Sequence, residues 1–350
     1  MVPMSMNNMH KTLRRPGLLA TAAFALGAVV TLGAQGAPKI RALTEPWPEI
    51  VKVDDIEILR VLKNVYMLVG AGANVTVNIG DEGVVMVDAG AAGNSAKLQH
   101  AIRSLTRKPL RFLVKSAPDA DKVGGNAEMV TWASGGKGAE EGIAQRGQNP
   151  ASPNLGALLI AHENTFNRMV EGSKDVPAVK GDGLPSSTFF TPRKDLNAND
   201  EAFQIFFEPK AHTDGDVIVF FRGSDVIHAG EIFRTDQFPL VDVARGGSIN
   251  GLLAGLNQVL DLAIPARNQM GGTRIVPAYG RIANEADVLE YRDMLTIIRD
   301  RVQALIVKKA TLAQVQTAGV ALEYDQYGKN PKWSTEMFVE AVYNSLNKKN

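Results

Sequence analysis

The sequence predicts an α/β protein in which two β-sheets pack face to face and helices cover their outer sides. Three observations predict this class. Runs rich in β-branched residues are divided by Gly and Asp, stretches with apolar residues at helical spacing follow these runs, and this order occurs twice along the chain. Because a sheet must bury its apolar face, two such halves are expected to pack as layers around a shared core.

The first half is predicted to contain three strands, a helix and a fourth strand. The first three strands are predicted at residues 65–70, 74–80 and 83–88. Apolar residues then recur at helical spacing over residues 95–106, which predicts a helix. Residues 110–114 form a short apolar run and predict the fourth strand.

The middle of the chain has weaker patterns. Residues 131–154 are rich in Gly, Ala and polar side chains and have no period, which predicts an exposed insertion. Residues 158–170 are typical of a short strand that passes into a helix. Residues 181–192 are predicted to be a loop.

The second half repeats the order of strands followed by helices. Its strands are predicted at residues 203–207, 217–221, 226–229 and 274–276. Helices are predicted over residues 252–262 and 286–308, and the second of these is long and amphipathic. The two halves are therefore expected to contribute one sheet each.

Composition excludes several kinds of function. The chain has 350 residues and a net charge of +1, so no overall field attracts nucleic acid, and a nucleic-acid partner is not expected. Cysteine is absent, which excludes disulfides, thiolate metal ligands and a cysteine nucleophile. A small-molecule substrate or ligand is the expected partner, and the oligomeric state is left open.

Residues 1–37 have the layout of a secretory signal segment. Lys11, Arg14 and Arg15 precede an apolar run at residues 18–32, and small residues follow it. The run is shorter than the roughly 20 residues that a membrane span needs, so no stable span is expected once the signal is removed. The alternative is an uncleaved anchor. The sequence thus predicts a periplasmic or secreted protein with a single domain over residues 38–350, including a helical C-terminal extension.

Polar residues follow the predicted strands, and they are the candidates for a functional site. These residues are Asp119, Asp121, Lys122, His212, Glu231 and Tyr279. Loops that leave the same edge of a layered α/β fold converge there, so these side chains are expected to share one cleft. Gly124 and Gly125, which follow Lys122 directly, predict a tight turn.

The segments around these residues resemble those of the metallo-β-lactamase superfamily. The landmarks are VYMLVGAGANVTVNIGDEGVVMVDAG, VGGN, AHTDGD, GEIF and PAYGR, in that order, within residues 61–294. The resemblance implies an αββα sandwich of two mixed sheets with the active site at one edge. It also implies a zinc hydrolase of esters, lactones, amides, thioesters or phosphodiesters.

The resemblance assigns positions to the metal ligands. The family loop His-x-His-x-Asp-His corresponds to residues 117–122, so its ligand positions carry Ala117, Asp119, Asp121 and Lys122. Only the aspartate, Asp121, keeps the family's residue type.

Three further ligand positions lie in the second half of the chain. The third histidine of the first metal site corresponds to His212, the bridging aspartate to Glu231, and the histidine of the last motif to Tyr279. The resemblance also implies that Asp88 orients the metal loop without binding the metal itself.

The departures argue against the usual two-zinc site. Ala117 has no donor atom, Lys122 carries a proton on its only nitrogen at pH 7, and Tyr279 binds metal only as a phenolate. One remaining possibility is a single, weakly bound divalent metal, with zinc as the family default and with Asp119, Asp121, His212 and Glu231 as ligands. Another is that no metal binds and the charge of Lys122 replaces it.

Three functions remain open from the sequence. The first is a hydrolase-like enzyme of ester, lactone or amide type that acts without the two-zinc site, with Asp121, Lys122, His212 and Tyr279 as catalytic residues. The second is a non-catalytic ligand-binding relative. The third is a metallohydrolase with a rebuilt single-metal site. A simpler alternative for Lys122 is an exposed loop lysine. His162 and His228 are expected to be structural or surface residues.

Overall fold

The computed structural model describes residues 49–134, 156–173, 176–269 and 271–347. The predicted signal segment, residues 1–37, lies outside these ranges, as do residues 135–154 of the predicted insertion. The described residues form an eight-stranded sheet, a five-stranded sheet, a small two-stranded sheet and the helices that pack on them.

The first sheet follows the order of the chain. Its strands are β1 Ile50–Val53, β2 Ile56–Leu62, β3 Val65–Val69, β4 Val75–Gly80, β5 Gly83–Val87, β6 Leu110–Val114, β7 Leu158–His162 and β8 Ser187–Phe189. Strands β1 to β5 pair antiparallel, and β5 to β8 pair parallel. Because parallel neighbours end at the same edge, the residues that follow β5, β6, β7 and β8 lie along one side of this sheet.

Within the described ranges, four α-helices accompany the first sheet. They are α1 Ser95–Leu105, α2 Ala120–Val123, α3 Asn126–Ala133 and α4 Glu163–Glu171. Leu98 and Ile102 of α1 and Trp132 of α3 pack against one face of the sheet and form an outer core with it. Arg103 adds its guanidinium over the Trp132 ring, 4.3 Å from the ring centre.

The second sheet has the strand order β13-β12-β11-β10-β9. Its strands are β9 Arg193–Ala198, β10 Glu201–Glu208, β11 Asp216–Phe221, β12 Val226–Gly230 and β13 Arg274–Pro277. All neighbours pair antiparallel except β12 and β13, which are parallel. The parallel pair again brings two strand ends to one edge, which is where Glu231 and Tyr279 follow.

Helices from the second half cover the outer face of the second sheet. They are α5 Ile249–Leu262, α6 Glu285–Val307, α7 Leu312–Thr317 and α8 Thr335–Asn347, with the short strands β14 Lys329–Asn330 and β15 Trp333–Ser334 between α7 and α8. Helix α6 begins with a reciprocal pair of hydrogen bonds between Asn284 and Asp287, which satisfies two amide groups of its first turn. In the described part of the chain, no helix has both the length and the apolar character needed to cross a membrane.

A central core fills the space between the two sheets. Strand β11 is buried along its whole length: Val217, Val219 and Phe221 face the first sheet, whereas Ile218 and Phe220 face the helices. The layers are therefore helix, sheet, sheet and helix, and the predicted αββα sandwich of two mixed sheets is confirmed.

Some elements differ from the sequence prediction. Strands β1, β2 and β9 were not predicted, and β8 lies inside the predicted loop at residues 181–192, so that prediction was wrong. A register shift between Arg60 and Leu62 breaks the alternation of β2, and β9 is a mostly polar strand at the sheet edge. The first residues of the predicted insertion belong to α3, because burial of Trp132 holds them in the core.

The predicted turn at Gly124 and Gly125 is confirmed between α2 and α3, and the glycines there serve close packing rather than unusual backbone angles. Both have negative φ values, −60° and −92°. A Cβ atom at Gly124 would collide with the backbone nitrogen of Ala92, and one at Gly125 would collide with the carbonyl oxygen of Ala89. The glycines therefore let the loop that carries Lys122 lie directly against the segment that follows β5.

Candidate functional site

The loops that follow β6, β12 and β13 meet at one end of the sandwich. Lys122, in the short helix after β6, contacts Glu231, which directly follows β12. The hydroxyl of Tyr279, after β13, donates a hydrogen bond to Asp121. His212, in the loop between β10 and β11, contacts Asp119. The structure thus brings the six polar candidates together; their catalytic and metal-binding roles stay predictions.

Lys122 lies at the centre of this group. Its Nζ atom is 2.7 Å from Oε1 of Glu231, 3.1 Å from Oδ1 of Asp121 and 3.7 Å from Oδ2 of Asp119. Its side chain is only 1% exposed, which contradicts the alternative of an exposed loop lysine. A buried ammonium keeps its charge only when carboxylates surround it, and three do so here.

Asp119 joins Lys122 to a second pair of cationic groups. Its Oδ2 atom is 3.1 Å from Nε2 of His212, and its Oδ1 atom accepts from Nη2 of Arg245 at 2.5 Å. The other ring nitrogen of His212 donates to the carbonyl oxygen of Leu240 at 3.0 Å. Both ring nitrogens of His212 therefore have partners, and the ring orientation is defined by the two contacts.

Glu231, like Asp119, is bound by cationic side chains. Its Oε2 atom accepts from Nη1 of Arg234 at 3.2 Å, while Oε1 faces Lys122. The Arg234 guanidinium also lies 4.3 Å from the centre of the Tyr279 ring and donates to Asp236. Glu231 is thus bound by two cations, and Tyr279 is packed between Arg234 and Asp121.

The cationic groups are stabilised in their charged forms. Burial by itself lowers the pKa of Lys122, but Glu231, Asp119 and Asp121 outweigh burial and hold it well above its usual value. Burial likewise lowers the pKa of His212, yet the Asp119 carboxylate raises it to about 9. Both groups are therefore protonated at neutral pH.

The acidic groups are stabilised as anions. Burial raises the pKa of Asp119, but His212, Lys122 and Arg245 hold it well below its ordinary value. The pKa of Glu231 is also lowered, because Lys122 and Arg234 overcome the effect of burial. Burial and the neighbouring Asp121 raise the pKa of the Tyr279 hydroxyl above its usual range, so Tyr279 is a neutral donor. The site is a network of paired charges at neutral pH.

A second buried lysine, Lys115, binds the backbone of the loop that carries Lys122. Lys115 is fully buried, and its Nζ donates to the carbonyl oxygen of Lys122 at 2.7 Å and to Oδ1 of Asn126 at 3.1 Å. Oδ1 of Asp88 lies 3.6 Å away. Burial lowers the pKa of Lys115 to about 8, although Asp88 opposes this change. Lys115 therefore anchors the backbone of the loop at the residue that carries the central ammonium.

Sequence reasoning missed three cations of the site. Lys115 ends the apolar run of β6, and a charge at that point of the pattern was a usable signal. Arg234 and Arg245 had no such signal, because each lies in a loop and its partner is known only from the folded structure. Ala117, by contrast, is a fully buried apolar residue that contributes no polar atom.

His162 and His228 have structural roles, as expected. His162 accepts from the backbone N–H of Asn164 at the start of α4 and stacks on Phe207, with ring centres 3.5 Å apart. Burial lowers its pKa to about 4, so it is neutral. His228 is fully buried, and its Nδ1 lies 2.8 Å from the Thr76 hydroxyl.

Comparison with known proteins identifies the family. The model of the metallo-β-lactamase superfamily matches residues 68–277, which is more than half of the chain. The chain belongs to the metallo-β-lactamase superfamily. Members of this superfamily are hydrolases such as sulfatases and β-lactamases, and they are usually zinc-dependent. In the comparison with curated protein sequences, none matches this chain.

Solved structures of superfamily members share the fold. A sec-alkylsulfatase, Pisa1 from Pseudomonas sp., superposes with a TM-score of 0.61 at 14% identity, over 82% of this chain and 49% of that one. The metallo-β-lactamase DIM-1 superposes with a TM-score of 0.50 at 16% identity, over 71% of this chain and 99% of that one. This chain therefore spans about half the length of the alkylsulfatase, and at these identities the likeness shows the fold alone.

The residues that the sequence resemblance assigns to the metal ligands do not fit a divalent ion. Among the residues that the structure describes, no group of three His, Asp or Glu side chains is arranged to hold a metal. The Lys122 ammonium lies between the carboxylates of Asp119, Asp121 and Glu231, and a second cation there would meet its charge directly. The oxygen atoms that a metal would need already have partners. Protein cations bind those of Asp119 and Glu231, and Lys122 and the Tyr279 hydroxyl bind those of Asp121.

Proposed function

We propose that this protein is a secreted, zinc-independent member of the superfamily that binds a polar small molecule at this site without hydrolysing it. One observation carries the proposal: the Lys122 ammonium lies within 3.7 Å of three carboxylates at the positions that correspond to zinc ligands. Lys122 thereby supplies the positive charge that the carboxylates require. We therefore propose that the metal site in this chain is degenerate, because a lysine takes the place of the metal.

Protonation states favour binding over hydrolysis. A general base works best when its pKa lies near the operating pH. His212, with a pKa of about 9, is already protonated and cannot accept a proton at neutral pH. Asp119 has three cationic partners and Glu231 has two, and both carboxylates are weak bases as a result.

The groups that face solvent support a polar ligand. The Asp121 side chain is 27% exposed, Asp119 is 15% exposed and Arg245 is 14% exposed. A ligand at this edge would therefore meet both signs of charge, which suits a small zwitterion or a molecule with several hydroxyl groups.

Secretion is a separate part of the proposal and rests on the signal-like composition of residues 1–37. It requires that the protein be recovered from the periplasm or the medium with its N-terminus near Ala37. Recovery only from the cytoplasm with residues 1–37 attached would contradict this part.

A hydrolase-like enzyme of ester, lactone or amide type is the second candidate, because one carboxylate keeps partial access to solvent. Asp121 is held by Lys122 at 3.1 Å and by the Tyr279 hydroxyl. In that orientation Asp121 is a candidate base for a water molecule, while Lys122 and Tyr279 are candidate donors to a developing oxyanion.

An activity screen separates the two candidates. Purified protein is tested on lactones, aryl esters, β-lactams and, because an alkylsulfatase shares the fold, secondary alkyl sulfates. We expect no turnover above that of the Asp121→Asn variant, which keeps the size of the side chain and removes its charge. Turnover by the wild type that falls at least 100-fold in this variant, about 2.7 kcal/mol in activation free energy, would instead support the hydrolase.

Metal analysis tests zinc independence. We expect well under one zinc per chain after dialysis, since Ala117, Lys122 and Tyr279 stand where the family has ligands. We also expect a chelator to leave the melting temperature unchanged, because no metal-binding free energy is linked to folding. One or more tightly held ions per chain, with a lower melting temperature in chelator, would support a rebuilt metallohydrolase site instead.

A further inference from the structure

A groove lies at the end of the first sheet opposite to the Lys122 loop. Strands β5 and β6 are parallel, and both end beside that loop. The turn at Lys63, between β2 and β3, lies at the end where β5 and β6 begin, because β3, β4 and β5 pair antiparallel in turn. The five residues of β6 alone span about 17 Å. The groove is therefore separate from the candidate functional site.

The groove is large enough for a small molecule, and most of its lining is apolar. Its volume of about 450 Å³ lies within the range of about 300–1,000 Å³ that is typical of ligand pockets. Helix α1 covers the outer face of the sheet only as far as Leu105, and the register shift between Arg60 and Leu62 ends the regular pairing of β2 there. The apolar lining residues are Val51, Ile58, Val61, Leu62, Tyr66 and Leu105.

The charged residues of the groove carry a net positive charge. They are Arg60, Lys63 and Glu49, two cations and one carboxylate. Nε of Arg60 donates to the carbonyl oxygen of Lys63 at 2.5 Å, but its two Nη groups have no partner among the described residues. The Lys63 ammonium donates to the carbonyl oxygen of Gly223 and has no carboxylate partner in the described part of the chain. Neither cation is neutralised by a described carboxylate.

We propose that this groove is a second binding site and that its ligand is a small amphipathic anion, a free monocarboxylate with an unbranched alkyl chain. The two Nη groups of Arg60 offer parallel donors that match the two oxygen atoms of a carboxylate. Lys63 adds a second positive charge from the adjoining turn.

The alkyl chain accounts for the apolar part of the groove. Each methylene group that leaves water for this lining raises the affinity by up to roughly fourfold. A cationic amphiphile of the same length would gain the same apolar contacts but would meet Arg60 and Lys63 as like charges, with only Glu49 in its favour. The charges of the groove therefore select the anion, and this selection does not depend on what binds beside Lys122.

Calorimetric titration of the purified protein tests the class of ligand. Decanoate is expected to bind with one molecule per chain, and hexanoate is expected to bind more weakly because its alkyl chain is shorter. Decylammonium is expected to bind more weakly than decanoate, on the order of 10-fold, because only the sign of the head group differs.

Two variants test the groove itself. Arg60→Gln/Lys63→Gln should weaken decanoate binding on the order of 10-fold and should not weaken decylammonium binding. Lys97→Gln is the matched control, since Lys97 is an exposed lysine that does not line the groove. Val51→Trp places an indole in the groove and should also weaken decanoate binding. Val51 is 49% exposed, so this variant should keep the wild-type melting temperature.

Photolabelling locates the bound ligand. A decanoate that carries a diazirine should label peptides within residues 49–66 of the wild type, and excess decanoate should suppress the label. Absence of decanoate binding, equal affinity for decanoate and decylammonium, or unchanged decanoate binding in both groove variants would overturn the proposal. Labels confined to the peptides around Lys122 would do the same. So would retention on anionic lipid vesicles without binding of monomeric decanoate, since the groove would then face a membrane surface.

Discussion

Replacement of Lys122 by alanine is expected to destabilise the protein by about 3–5 kcal/mol at pH 7 and by less at pH 3. The expected loss of stability is large because the ammonium is 1% exposed and lies within 3.7 Å of three carboxylates. Removal of one member of a buried charged group leaves the remaining charges uncompensated, which costs more than the pair itself contributes. Arg234, Arg245 and His212 remain in the variant and keep the loss within this range.

The pH dependence of this loss has a definite sign. The pKa values of Asp119 and Glu231 are lowered in the folded protein, and Lys122 is among the causes for both. Groups with lowered pKa values stabilise the folded state above their unfolded pKa of about 4, and this contribution fades as the pH falls through the lower, folded value. Lys122 therefore contributes most where these carboxylates are charged.

Denaturant melts of wild type and Lys122→Ala at pH 7 and pH 3 measure this difference. Lys97→Ala is the matched control, since Lys97 forms an exposed ion pair with Asp55 and its loss should change little at either pH. Lys122→Arg provides a second variant if the alanine variant does not fold, because it keeps the charge and should lose less stability. An equal loss at both pH values, or no loss, would show that Lys122 does not replace a metal charge.

The second large effect is the gain of zinc binding when the family's ligands are restored. Together, Ala117→His, Asp119→His, Lys122→His and Tyr279→His should create a zinc site, because Asp121 and His212 already lie beside these positions. At free zinc 100 times the dissociation constant, the gain in stability should be about 2.7 kcal/mol. Removal of the Lys122 ammonium is essential, since it repels a dication.

Elemental analysis and melts with and without zinc measure the restored site. The same variant with His212→Ala is the control and should bind zinc far more weakly, because it lacks one ligand of the first site. Ala117 is fully buried, so a variant that leaves Ala117 unchanged and carries the other three histidines serves if the larger variant does not fold. A folded variant that takes up no zinc would mean that these positions do not converge as the contacts indicate.

The sequence by itself determined the class of fold and most of its segments. Strand and helix patterns depend on the repeat of apolar residues over a few positions, and this repeat is local. Strand β6 and helix α1 were predicted with bounds that differ from the structure by at most one residue. The αββα arrangement, the family and the six polar residues that meet at the sheet edge were also available from the sequence.

Burial and pairing were decided only by the tertiary structure. Lys122 has no sequence feature that separates an exposed loop lysine from a buried ammonium; its partner Glu231 lies 109 positions away. Arg245 meets Asp119 across 126 positions. Charges lose solvent and gain partners when distant segments pack, so their protonation depends on contacts that a local pattern does not contain.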